Sequence, residues 1–238
     1  MGFLSEMKTN RINRSLVIAV MTISLAMFTS MLRVIVVSAS ANTETVFNNA
    51  SLTPVNTYYE PANQAIDSAI NAITTKEMTS YQKIKACYDY LINSCSYGQN
   101  NEVYNRLEDF FFGDTGGVEA YCMLAEHVGV CDDYSSAFVA MARKLGYNSY
   151  IATGLTHRAK GGYSPHAWAV IKIDEVEYVF DPQIEDNIAK DGKITYCRFA
   201  KTYDQVKDKY IFEAISDKFV PFDYTENAYL KPSIIHMD

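Results

Sequence analysis

Cys131 stands in the run Gly129-Val130-Cys131-Asp132-Asp133-Tyr134, which puts a thiol at the start of a predicted helix. The positive end of a helix dipole stabilises a thiolate there, and a nearby imidazolium lowers its pKa further. Asp132 and Asp133 suit a first turn, but their charge opposes thiolate formation, so activation requires their side chains to point away. His166, in Ser164-Pro165-His166-Ala167-Trp168, enters a predicted strand, and Asp181, in Phe180-Asp181-Pro182, follows another. Each has an ordinary reading alone: a small buried hydrophobe, a satisfied histidine, a turn-former. Together they supply the parts of covalent amide chemistry. The thiolate attacks a carbonyl, the imidazolium protonates the leaving amine, and the carboxylate fixes the ring's tautomer. Backbone N–H groups at the helix start would serve the oxyanion, and no side-chain donor is assigned to it. His157, in a Gly- and Lys-containing loop, is the rival histidine.

The elements that must position these groups can be read from periodicity. Residues 61–73 read as a short helix with Pro61 in its first turn. A capping box of Thr79 and Gln82 opens a stronger one, striped by Tyr81, Ile84, Tyr88, Leu91 and Cys95 before Gly98. Residues 102–112 and 118–127 are two further candidates. Residues 131–145 carry Tyr134, Phe138, Met141, Ala142 and Leu145 on one face, and Gly146 is placed to end that helix. The period then changes: 147–153, 166–173 and 177–180 are strand-like. Helices followed by an antiparallel sheet define an α+β domain. Residues 203–210 read as a helix, and the remaining C-terminal chain as irregular with short strands.

A hairpin turning at Asp174-Glu175 pairs Ile173 with Val176 and sets Trp168 opposite Asp181. Residues two apart share a face, so His166, Trp168 and Asp181 then point the same way, with Asp181 diagonal to His166. A slip of one residue would separate histidine and aspartate. Asp-Glu is poor chemistry for a two-residue turn, so a longer loop is the alternative.

The ordered set of Gly-Val-Cys opening a helix, Leu145-Gly146-Tyr147 before a strand, His166-Ala167-Trp168, and Tyr178 to Asp181-Pro182 resembles the transglutaminase-like superfamily. The upstream stretch Ile84-Lys85-Ala86-Cys87-Tyr88-Asp89-Tyr90 is similar to the helix preceding that family's core. The resemblance covers roughly residues 80–185. It implies Cys131 as nucleophile, His166 as acid/base, Asp181 as orienter, and a papain-like packing of helix against antiparallel sheet. This chain departs from the family's pattern at Asp133 and Ser135, at Ala169 after the Trp, at Gln183 after Asp-Pro, and in lacking a glycine turn.

The chain has 238 residues, of which 48% are hydrophobic, enough for one sizeable core. Residues 61–238 are therefore expected to form a single domain. Lys8, Arg11 and Arg14 precede an apolar run over residues 15–37, closed by Ala39-Ser40-Ala41. These are the parts of a secretory signal peptide. A membrane anchor over 15–37 is the alternative, against which Arg33 stands. Residues 42–60, rich in Asn, Thr and Ser, read as a polar tether. Cutting after Ala41 removes four basic residues and one acidic one and takes the formal charge from -7 to -10. So acidic a surface repels phosphate backbones and argues against nucleic acid as a partner. Five cysteines remain in a chain expected to be secreted or held at the cell surface, so at least one thiol has no intramolecular partner.

The expected function is an exported thiol enzyme acting on peptide, protein or cell-wall amides, hydrolysing rather than cross-linking. A binding module with the same fold is the alternative. A metal site of Cys131, His166 and an aspartate lacks paired ligand spacings, and no calcium loop or other cofactor signal is present.

Overall fold

The computed structural model describes residues 42–99, 114–189 and 193–220. The expected helix at 102–112 and the N-terminal apolar run lie outside them. The chain divides into two compact units, Met1–Thr45 and Val46–Asp238. Helix α1 (Thr43–Asn48) runs across that boundary. The rest belongs to the second unit.

That unit is α+β. Three helices come first: α2 (Glu60–Ile73), α3 (Ser80–Ser94) and α4 (Thr115–Glu126). Pro61 sits in the first turn of α2, where no N–H is needed. The Thr79 hydroxyl accepts from Gln82 N at 3.2 Å, and Gln82 Oε1 accepts from Thr79 N at 2.9 Å, which is the expected capping box. Asp114 caps α4 by accepting from Gly117 N at 2.8 Å. Two short strands pair in parallel, β1 (Ser96–Tyr97) between α3 and α4 and β2 (Val128–Gly129) after α4, and β2 leads into α5 (Cys131–Lys144).

Helix α5 is buried on every side from Asp133 to Ala142. A helix packed all round must lie between layers, and α5 contacts α3 and α4 as well as strands β3 (Ser149–His157) and β4 (Tyr163–Ile173). Leu145 and Gly146 end it, Gly146 at φ +100°, a region costly to any residue with a Cβ.

The sheet has the order β6-β5-β4-β3-β7 and all its pairs are antiparallel, with β5 (Val176–Phe180), β6 (Lys201–Thr202) and β7 (Tyr210–Ser216). Helices α6 (Pro182–Ile188) and α7 (Tyr203–Val206) lie in the β5–β6 and β6–β7 connections. Along β4, Ala167, Ala169 and Ile171 join the main core, while Trp168 and Val170 join a second cluster with Val179, Val206 and Tyr210. Both faces of the sheet are thus covered.

The hairpin turns at Asp174-Glu175 with Ile173 opposite Val176, as the register argument requires. The missing glycine is accommodated by Asp174 itself, which adopts φ +52°; Asp tolerates this region better than most residues. Other expectations shift. The first strand begins at Ser149 and runs on to His157. The helix expected over 203–210 is a single turn, and from Tyr210 the chain becomes β7 on the sheet edge. A short segment without an apolar stripe has no strong local preference, and pairing with β3 decides it.

Residues 46–60 do more than tether. Phe47 is fully buried, its ring 5.2 Å from that of Tyr178 and 5.8 Å from that of Phe180. Thr53 N and Val55 N donate to Gly146 O and Arg143 O at 2.8 and 2.9 Å. One aromatic residue without a periodic companion was too little for the sequence to reveal this packing.

Gly154 marks where β7 meets β3. The register shifts between Thr153 and Gly154, and a Cβ on Gly154 would lie 2.0 Å from Ile211 O. Gly154→Ala is expected to cost about 1–3 kcal/mol and to loosen β7 first. Urea unfolding and amide exchange across 210–216 measure this; exchange and midpoint unchanged would show that β7 is not held at this contact.

Candidate active site

Cys131 is the first residue of α5, half-buried. The first N–H groups of a helix have no intrahelical partner, so the thiol sits beside free donors at the positive end of the dipole. The two acidic residues after it behave differently. Asp133 is buried and folds back, its Oδ2 accepting from Val130 N at 2.8 Å. Asp132 stays close, with Oδ2 3.7 Å from Cys131 Sγ. Its other oxygen, however, lies 2.6 Å from Lys218 Nζ, which also meets Glu119 Oε1 at 2.8 Å. The charge expected to oppose a thiolate is therefore paired with an ammonium supplied from beyond β7.

His166 Nε2 lies 2.8 Å from Asp181 Oδ2, both side chains almost fully buried. Asp181 follows β5 directly and caps α6, with Oδ1 accepting from Ile184 N at 2.9 Å. It is thus both the turn-former and the histidine's partner. Tyr210 donates its hydroxyl to Asp181 Oδ2 at 2.6 Å, and Tyr88 donates to Asp181 O at 3.1 Å. Burial, reinforced by the Asp181 charge, pushes Tyr210 well above the ordinary tyrosine range, so it remains a donor. The His166 ring stacks near Trp168 and Tyr210 at 6.3 and 6.4 Å, so its plane is set by two neighbours.

These contacts govern ionisation. Burial acts against a charged His166, but the Asp181 carboxylate, and then Cys131, outweigh it and raise the imidazole to about 10. Burial likewise works to raise Asp181, yet His166, the Ile184 N–H and Tyr210 hold its carboxyl below the usual range. With Nε2 committed to Asp181, Nδ1 is the ring nitrogen left to face the cleft that Cys131 also lines.

Cys131, His166 and Gln183 line one cleft of about 630 Å³, together with Tyr97, Arg158 and Arg198. His157 reaches the same cleft but is exposed, its ring edge-on to Tyr163 at 5.5 Å, with no side-chain hydrogen bond among the described residues. All five cysteines are free thiols. Burial pushes Cys87, Cys95 and Cys122 up to about 12, which makes them inert packing residues. Sequence reasoning missed Tyr210, Lys218 and Arg198. No local signal marks them; each arrives through contacts far apart in sequence. Gln183 had been noted only as a departure after Asp-Pro.

The pattern of the transglutaminase-like superfamily matches residues 67–182, and that stretch of the chain is a transglutaminase-like domain. Comparison with curated proteins finds no match. Among solved structures, a TGase aligns at 18% identity and a TM-score of 0.35, covering 56% of this chain and 32% of its own. A candidate cysteine protease from Cytophaga hutchinsonii aligns at 18% identity and 0.40, covering 74% and 58%. This chain therefore spans less than two thirds of either neighbour. No helix among the described residues is long and apolar enough to cross a membrane.

Proposed function

We propose that this protein is an exported thiol enzyme that forms a thioester on Cys131 from a peptide, protein or cell-wall amide and resolves it with water. The observation that carries the reading is the 2.8 Å bond from His166 to the buried Asp181, which leaves the ring's other nitrogen for the thiol of Cys131 in the same cleft. In the proposed cycle the thiolate attacks the amide carbonyl and a C–S bond forms. Backbone N–H groups at the start of α5 hold the oxyanion. His166 Nδ1–H gives its proton to the leaving nitrogen as the C–N bond breaks. Nδ1 then takes a proton from water, which attacks the thioester and frees the thiol. Asp181 holds the ring throughout and does not itself change protonation. Cys131 is only half-buried, so water can reach the thioester and resolve it. Export rests on the basic start, apolar run and Ala39-Ser40-Ala41 of the N-terminal segment.

Alkylation of Cys131 by iodoacetamide, followed by peptide mass spectrometry from pH 5 to 9, tests the pair. An ordinary thiol titrates near about 8.5, whereas an ion-paired one reacts several units lower. Fast labelling at pH 6, lost in His166→Ala, is expected. Slow labelling in both proteins would overturn the reading. A fluorescent amine incorporated in place of peptide cleavage would move the assignment from hydrolysis to transfer.

A further inference from the structure

The sequence is acidic, with a formal charge of -7, yet not one of the cleft-lining residues is Asp or Glu. Arg158, Arg198 and Lys209 line it instead. Lys209 is paired with Asp208 at 2.8 Å. The two arginines are not: among the described residues neither guanidinium has a carboxylate within ion-pair distance. Arg198 gives Nη1 to Cys197 O at 3.2 Å and packs 5.7 Å from the Tyr210 ring, but its Nε is buried with no hydrogen-bond partner. Gln183 lines the same cleft and is 4% exposed.

A buried donor without an acceptor costs about 1–3 kcal/mol, so the Arg198 Nε marks a place where something else bonds. Here a guanidinium, a side-chain amide and a second guanidinium at the exposed rim share a cleft with Cys131 and His166. An arginine fork matches a carboxylate bidentately, and a cationic lining draws in the opposite charge, the Asp132 carboxylate beside the sulfur being held by Lys218. We infer that Arg198, Gln183 and Arg158 form a carboxylate-accepting subsite beside Cys131, so that the preferred substrate is an amide with a carboxylate close to the scissile bond. This rests on the proposed thiol chemistry only for the word substrate; the subsite is testable without turnover.

The probe is a pair of alkylating agents of nearly one size that differ in charge, anionic iodoacetate and neutral iodoacetamide. In both, the thiolate displaces iodide as the S–C bond forms, so the ratio of their rates cancels the thiolate fraction. On the full chain at low ionic strength, the iodoacetate/iodoacetamide ratio at Cys131 is expected to fall about fivefold or more in Arg198→Gln, and by a smaller factor in Arg158→Gln at the exposed rim, which does not endanger the fold. Salt should erase the difference, and N-acetylglutamate should slow labelling of the wild type more than N-acetylglutamine does. Peptides bearing an internal Glu, or a free against an amidated terminus, then separate a side-chain carboxylate from a terminal one. A ratio unchanged in both variants, with no protection by N-acetylglutamate, would overturn the subsite even if iodoacetamide labels rapidly at pH 6. Slow iodoacetamide labelling with a ratio that still falls would instead retain the subsite and remove the proposed thiol chemistry.

Discussion

Asp181→Asn is expected to lower turnover by about three to four orders of magnitude while leaving the protein folded. The amide has the carboxylate's shape, so the α6 cap and the room for Tyr210 remain. What disappears is the charge. Burial alone lowers an imidazole's pKa, and in the wild type the Asp181 carboxylate is the first influence that reverses it. The variant ring therefore titrates well below its wild-type value and loses the partner that fixes its tautomer.

The pH dependence of stability follows the same signs. Wild-type His166, raised from 6.5 to about 10, contributes stability that is complete below about 6.5 and is lost as pH rises through 10. Asp181, lowered from 3.8, contributes stability that is complete above that value and is lost as pH falls through its depressed pKa. Both contributions are whole between about 4 and 6.5, and the wild type weakens toward alkaline pH. Asp181→Asn should flatten that alkaline slope. Urea unfolding and kcat/KM from pH 4 to 10 check both. Turnover within tenfold of wild type, with the alkaline slope retained, would remove Asp181 from the positioning role.

Cys131→Ala should abolish turnover, with a loss on the order of 10⁴ to 10⁶, at almost no cost in stability. The side chain is half-buried at the first turn, and the bond from the Ser135 hydroxyl goes to its backbone carbonyl at 2.7 Å, which alanine keeps. A change under about 1 kcal/mol in unfolding free energy is expected. Lost turnover with unchanged affinity for a bound peptide would also dispose of the binding-module alternative. Activity above about 1% of wild type would show that another group attacks the carbonyl.

The parts of this architecture that were legible in sequence are local or follow from a two-residue period. Thr79 and Gln82 announced α3, the stripe from Tyr134 to Leu145 announced α5, and a single assumed turn placed Asp181 within reach of His166. The turn chemistry looked wrong because Asp174 had not been credited with a positive φ. What remained hidden depends on distant partners. Tyr210 reaches Asp181 because β7 pairs with β3, an edge that the Tyr210–Ser216 segment does not advertise. Asp132 looked adverse to a thiolate because nothing near it foretells Lys218. Phe47, isolated in a polar stretch, gave no period to read.

The strap beyond β7 sets a condition on when this molecule becomes complete. Gly116 N donates to Lys218 O, Phe219 lies under the Arg143 guanidinium, and Lys218 holds Glu119 and Asp132 together. Cys131, His166 and Asp181 are all synthesised before any of this. A nascent chain can therefore carry every reactive group and still leave an uncompensated carboxylate beside the sulfur and no hydroxyl on Asp181. Its thiol should stay sluggish until residues 210–219 have emerged and docked.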